Sequence, residues 1–190
     1  MIFEYDQIIE NYYKQKNNLE SVNLKSKLFK KFKKIRQDNK YSYVKKYTND
    51  SFKDEYIKSI CKERKNKILS YCIDNDINYK NIPTIIVYRM VFKNPEKIRY
   101  VILLIVTLKD YRSLGYGNAA IHDFFDFIYD KSRKVEVILH SLKKSEKFYL
   151  DLGFQKIDKN LFIERLEGLN NQDEDINKQE VIFLKYTIQA

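Results

Sequence analysis

Arg112-Ser113-Leu114-Gly115-Tyr116-Gly117-Asn118 stands between a strand-like run, Tyr100–Leu108, and a helix-like run, Ala119–Tyr129. The chain has only four glycines in 190 residues, so two within three positions point to a demand on the backbone. A glycine turn that opens a helix lets successive N–H groups converge on one anion, with the positive end of the helix dipole behind them. A third glycine closes Phe148-Tyr149-Leu150-Asp151-Leu152-Gly153-Phe154, after a second strand-like run, Lys134–His140, and a short helix over Lys143–Leu152.

Working outward, Thr84–Phe92 and Arg99–Leu108 are rich in β-branched and aromatic residues and are separated by Lys93-Asn94-Pro95-Glu96-Lys97, which predicts an antiparallel hairpin. The helix after the glycines carries Ala120, Phe124, Phe127 and Ile128 on one face. Two further strands are expected near Phe154–Ile157 and over Glu180–Ile188, with an acidic, amide-rich loop at Asn170–Lys178 between them. The order ββ–α–β–α–β–β argues for an α/β domain with a mixed sheet, and no internal repeat is present.

Before Pro83 the pattern is helical. Phe3–Gln15, Ser21–Arg36 and Phe52–Ile73 read as helices. The last would begin at Ser51 and Asp54 in the manner of a capping box and present Ile57, Ile60, Cys61, Ile68 and Cys72 on one face. Tyr41–Tyr47 alternates weakly and reads as a strand. The expected division is a helical, basic part over residues 1–80 and a core over 81–190. The net charge of +10 follows that division: residues 1–80 hold 19 Lys and Arg against 11 Asp and Glu. Seven of those cations fall within Lys25–Arg36, with Leu28, Phe32 and Ile35 at helical spacing. Such a helix could lie on a phosphate backbone or an anionic membrane surface; the plainer reading is a solvated helix face. Cys61 and Cys72, on one helix, would stand about 16 Å apart, too far for a disulfide and too few for a metal site. Two unpaired thiols, no apolar run near membrane-spanning length and no signal-peptide pattern lead to the expectation of a cytoplasmic protein.

Gly115-Tyr116-Gly117-Asn118-Ala119-Ala120 also fits the dinucleotide fingerprint G-x-G-x-x-G/A, but the first strand has an antiparallel partner and the second ends at His140-Ser141 with no carboxylate for a ribose. A phosphate-binding P-loop is excluded because no Lys-Ser/Thr follows the glycines. Residues 84–188 resemble instead the GNAT superfamily of N-acetyltransferases, whose signature Arg/Gln-x-x-Gly-x-Gly/Ala is matched by Arg112 to Gly117. A second motif, an aromatic-Tyr pair followed by x-x-x-Gly-Phe, is matched by Phe148-Tyr149 and Gly153-Phe154. The implied fold is a mixed, mostly antiparallel sheet flanked by helices, here with a helical N-terminal part.

The resemblance implies acetyl-CoA as co-substrate. Its pyrophosphate would meet the backbone N–H groups of Ser113, Leu114, Gly115, Tyr116, Gly117 and Asn118, with Arg112 adding charge, and its pantetheine arm would pair with Ile105, Val106 and Thr107. A primary amine would attack the thioester directly, an N–H near Val106 would hold the oxyanion, and Tyr149 would protonate the departing thiolate. Phe148 and Ser145 would border the cofactor. Two positions depart from the family: Leu142 stands where many members have an Asn, with Ser141 or Ser145 as substitutes, and Val101 stands where lysine acetyltransferases often carry a Glu base. Asp110 and Glu96 are the nearby carboxylates; His140 could relay a proton, and His122 reads as structural. No metal is expected. The acceptor, small molecule or protein, is left open, as is a homodimer, and residues 1–80 would border it. The alternative is a catalytically degenerate module that binds CoA or nucleic acid.

Overall fold

A computed structural model describes residues 2–5, 7, 40–48, 52–73, 81–166 and 181–188. The expected helix Ser21–Arg36, its basic run, most of Phe3–Gln15 and the loop Asn170–Lys178 lie outside these residues. Among these residues, seven strands form one sheet in the order β1-β2-β3-β4-β5-β7-β6. They are β1 (Ile2–Glu4), β2 (Lys67–Tyr71), β3 (Thr84–Lys93), β4 (Lys97–Thr107), β5 (Lys134–Leu142), β6 (Gln155–Lys156) and β7 (Val181–Ile188). The β4–β5 pair is parallel, whereas β1–β2, β5–β7 and β6–β7 are antiparallel. The expected β3–β4 hairpin is present, closed by Asn94, whose N–H donates to the Lys97 carbonyl at 2.9 Å. The chain divides into two compact units, Met1–Val87 with Leu104–Phe124, and Tyr88–Leu103 with Phe125–Ala190.

In the first unit, the helical residues 40–48 form α1 and Asp54–Lys62 form α2. The strand expected at Tyr41–Tyr47 is thus a helix. Its buried residues are Tyr43, Val44, Tyr47 and Thr48, a spacing of one helical turn rather than the alternation of a strand. Tyr43 shares a 2.7 Å hydrogen bond with Ser70 on β2, and Tyr47 donates to the Ile82 carbonyl at 3.2 Å. Asp54 joins α1 to α2 by accepting from Tyr41 at 2.5 Å and pairing with Lys45 and Lys58 at 2.9 Å each.

The single helix expected over Phe52–Ile73 is also corrected. It starts at Asp54 behind Lys53, with no side-chain cap, and ends at Lys62. Asn66 closes it, donating through Nδ2 to the Ile60 carbonyl at 2.8 Å, and β2 follows. Ile68, Leu69 and Ser70 are buried in succession, as a strand covered on both faces requires. Cys61 is therefore on a helix and Cys72 past a strand; both are buried thiols outside any disulfide. Phe3 and Glu4 belong to β1, paired with Ser70 and Leu69, not to a helix.

The first unit also holds most of α3 (Tyr116–Ile128). The buried face of α3 is Ala120, Ile121, Phe124, Phe125 and Ile128, while Phe127 is 49% exposed. The Phe127 ring lies edge-on to Tyr88 at 6.4 Å.

The second unit contains α4 (Glu146–Asp151), entered through a 3-10 turn at Lys143–Ser145, and α5 (Lys159–Arg165). The sequence reading missed α5, which begins where the Asp158 carboxylate accepts from the Asn160 N–H at 2.7 Å. Its Phe162 packs with Val101 and Ile138. At the end of α5, Arg165 joins Lys97 and Arg99 around Glu136, whose Oε2 lies 2.8 Å from Lys97 Nζ, 3.0 Å from Arg99 Nε and 3.7 Å from Arg165 Nη1. Glu136 is only 3% exposed, so this buried carboxylate is stabilised by surrounding cations.

Candidate functional site

The residues singled out by sequence fall into two groups, one in each unit. In the first unit, β4 ends with Ile105, Val106 and Thr107, of which Val106 is buried. The parallel ladder between β4 and β5 runs from Lys97↔Lys134 to Ile102↔Leu139, so these three residues lie beyond its last pair. The end of β4 is held otherwise: Thr107 shares a 2.9 Å side-chain hydrogen bond with Thr84, and the Leu108 N–H donates to the Pro83 carbonyl at 2.8 Å.

From there the chain makes a 3-10 turn at Lys109–Tyr111 and passes through Arg112, Ser113, Leu114 and Gly115 into α3. Arg112 Nε donates to the Thr107 carbonyl at 3.2 Å, so part of its guanidinium ties the turn to the strand end. Ser113 has φ +63° and Gly115 φ +84°, both left-handed, while Leu114 between them is not. A Cβ on Gly115 would meet nothing within 4 Å, so glycine is needed there for its φ and not for space. Gly117 is different: it lies inside the first turn of α3 without a positive φ. No acidic residue occupies that first turn, and Asn118 is exposed. Tyr116, the first residue of α3, is braced by the rings of Tyr111 at 5.6 Å and Tyr71 at 6.2 Å.

In the second unit, Tyr149 sits on α4 and is buried, with Phe148 and Phe154 edge-on to its ring at 5.0 and 5.6 Å. Burial pushes its pKa up to about 12, and a hydrogen bond from Ser141 on β5 works in the opposite direction. Burial thus makes Tyr149 a weaker acid than an ordinary phenol. Gly153 ends α4 at φ +88°, and a Cβ there would come within 3.1 Å of the Tyr186 ring. This glycine is required by both conformation and space. Ser145 precedes α4 without capping it through its side chain, and Phe148 is 37% exposed. His140 faces the edge of Phe162 at 6.0 Å.

The remaining candidates are placed plainly. Val101 is 1% exposed and packed against Phe162, so nothing at that position can act as a base. Asp110 and Glu96 are exposed in turns, and His122 is exposed on α3. Among the described residues no group of three or more His, Cys, Asp or Glu is placed to hold a metal ion, and no helix is long and apolar enough to cross a membrane. The Ser141 hydroxyl donates to the Leu142 carbonyl at 3.4 Å.

No protein-family model and no curated protein matches this chain. Solved structures do. Tetrahymena GCN5 aligns with a TM-score of 0.56 at 12% identity, over 80% of this chain and 86% of that one. Arabidopsis thaliana NAA60, in complex with acetyl-CoA, aligns at 0.52 with 14% identity, over 80% and 95%. An acetyltransferase of the GNAT family from Staphylococcus aureus Mu50 aligns at 0.50 with 14% identity, over 100% and 99%. At these identities the likeness is one of fold, and the chain has the GNAT fold.

Proposed function

We propose, from that fold and from the turn before α3, that this chain is an N-acetyltransferase that moves an acetyl group from acetyl-CoA to a primary amine. The observation that carries the reading is the left-handed pair Ser113 and Gly115 leading into a 13-residue helix with no acid in its first turn. Such a turn offers a pyrophosphate several N–H donors and a helix N-terminus at once. The structural neighbour NAA60 is a complex with acetyl-CoA, and acetyl-CoA is the ligand this reading assigns. The N–H groups of Ser113 to Asn118 hold the pyrophosphate, with the free face of Arg112. The backbone of Ile105, Val106 and Thr107 holds the pantetheine arm, while Ser145 and Phe148 border the thioester end.

The reaction is direct. The neutral amine attacks the thioester carbonyl, the oxyanion is held by a backbone N–H near Val106, and the C–S bond breaks. Tyr149 gives its phenolic proton to the CoA thiolate, and the proton released by the new amide nitrogen returns to Tyr149 through water. With a pKa of about 12, that transfer to a thiolate of pKa about 8.5 is uphill by roughly 5 kcal/mol, so the phenolate must be stabilised as it forms. Residues 1–80 form the acceptor-side part in this reading. Their positive charge suits an acidic or phosphate-bearing amine.

The test is Tyr149→Phe. If Tyr149 is the acid, kcat falls by about 10²-fold while acetyl-CoA affinity is kept; unchanged turnover removes Tyr149 from the mechanism. A second reading, a CoA-binding module without turnover, is favoured by the buried Val101 and by the weak acidity of Tyr149. Under it, acetyl-CoA binds and no amine is acetylated.

A further inference from the structure

The turn before α3 has no core of its own. Arg112, Ser113, Leu114 and Gly115 are all exposed, Leu114 by 63%, so burial of their side chains does not hold the turn in shape. Ser113 nevertheless keeps a left-handed φ of +63°, which is disfavoured for a residue with a Cβ by about five- to thirtyfold. The two residues that flank the turn, Tyr111 and Tyr116, meet ring to ring. Their centroids are 5.6 Å apart and their planes 72° apart, the edge-to-face arrangement that aromatic rings favour. Tyr116 also lies 6.2 Å from the ring of Tyr71 on β2, which anchors the pair to the sheet. All three tyrosines are half-buried. The backbone closes the same span at both ends: the Arg112 N–H donates to the Lys109 carbonyl at 3.2 Å, and the Ala119 N–H to the Gly115 carbonyl at 3.0 Å.

We propose that Tyr111 and Tyr116 are positioning residues, a ring clamp that bridges residues 112–115 and keeps the turn in its left-handed shape before a ligand arrives. An edge-to-face pair stabilises by about two- to tenfold. That is the same order as the cost at Ser113, so the contact decides what fraction of the molecules has the turn closed. The rings do not touch the ligand in this scheme. They act on the fraction of binding-competent protein, and the apparent dissociation constant is the intrinsic one divided by that fraction. Loss of the clamp therefore slows association and leaves dissociation unchanged. Loss of a direct ligand contact would instead speed dissociation.

The clamp's role in binding rests on the reading of this turn as the acetyl-CoA site; its existence does not, so it is tested without ligand and with it. In the unliganded protein, amide exchange of Ala119 reports closure at Gly115, with the amides of β5 as the reference for global stability. Tyr111→Leu should speed exchange at Ala119 about fivefold relative to β5, and Tyr111→Phe, which keeps the ring, should match the parent. With acetyl-CoA, Tyr111→Leu should slow association about fivefold with dissociation unchanged, and should add nothing in a Tyr116→Leu background. Ala119 exchange unmoved by Tyr111→Leu overturns the clamp. So does a loss of affinity that appears in the dissociation rate, or one that Tyr111→Phe shares. Faster Ala119 exchange in a family of variants none of which binds acetyl-CoA, the parent included, upholds the clamp and removes acetyl-CoA as its ligand.

Discussion

Two of the glycines have left-handed backbones of nearly the same φ, +84° at Gly115 and +88° at Gly153, and opposite surroundings. At Gly115 an added Cβ meets nothing within 4 Å; at Gly153 it lies 3.1 Å from Tyr186 Cε2. The Tyr186 ring cannot easily yield, because it is stacked on Phe125 at 4.3 Å and packed against Phe154 at 5.4 Å. Alanine at either position costs about 1–2 kcal/mol for the left-handed backbone. At Gly153 the crowded ring adds about 1–3 kcal/mol more. Gly153→Ala should therefore destabilise the fold by roughly 2–5 kcal/mol, and Gly115→Ala by about 1–2 kcal/mol. Urea unfolding of the two variants beside the parent reads the difference. In a Tyr186→Leu background the gap between them should shrink, because the ring that the methyl group meets is gone. A Gly153→Ala variant no less stable than Gly115→Ala, or a gap that survives loss of the ring, refutes the reasoning.

Replacing Glu136 by Gln leaves Lys97, Arg99 and Arg165 without their shared carboxylate and should cost about 3 kcal/mol at neutral pH, measured by denaturant unfolding. Burial opposes ionisation of Glu136, but hydrogen bonds from Lys97 and Arg99 outweigh it and hold its pKa below the ordinary 4.5. A depressed carboxyl pKa gives stability that is present above the unfolded value and lost as pH falls through the folded one. The parent should therefore lose stability on acidification below that value more steeply than Glu136→Gln. Burial pushes the pKa of both Cys61 and Cys72 up to about 11. At pH 8 only about one thiol in a thousand is ionised, so a thiol-reactive dye should label neither until denaturant is added.

The second half of the chain was legible because its signals are local. The hairpin at Asn94, the helix after the glycine turn and the strand from Lys134 each depend on residues close in sequence. The two left-handed glycines were legible for the same reason: little but glycine tolerates that backbone. The errors lie where tertiary contacts decide. Tyr41–Tyr47 has the spacing of a strand only if Tyr41, Tyr43 and Tyr47 are taken together. Burial of Tyr43, Val44, Tyr47 and Thr48 selects the helix. The Lys67–Tyr71 segment carries apolar residues compatible with a helical face, and its pairing with Ile2–Glu4 makes it a strand. At the candidate site, residue types were legible but partners were not. Nothing in the sequence near Arg112 shows that it spends a donor on the Thr107 carbonyl.

The central claim is that the turn before α3 holds acetyl-CoA, and calorimetric titration of the protein beside a Gly117→Glu variant tests it most directly. Gly117 lies in the first turn of α3, where a carboxylate favours the helix through its dipole. The variant should fold while placing a side chain and a negative charge where the pyrophosphate would sit. The account predicts saturable, one-to-one binding of acetyl-CoA to the parent and at least a hundredfold weaker binding to the folded variant. Equal binding by both, or no binding by the folded parent, would contradict it.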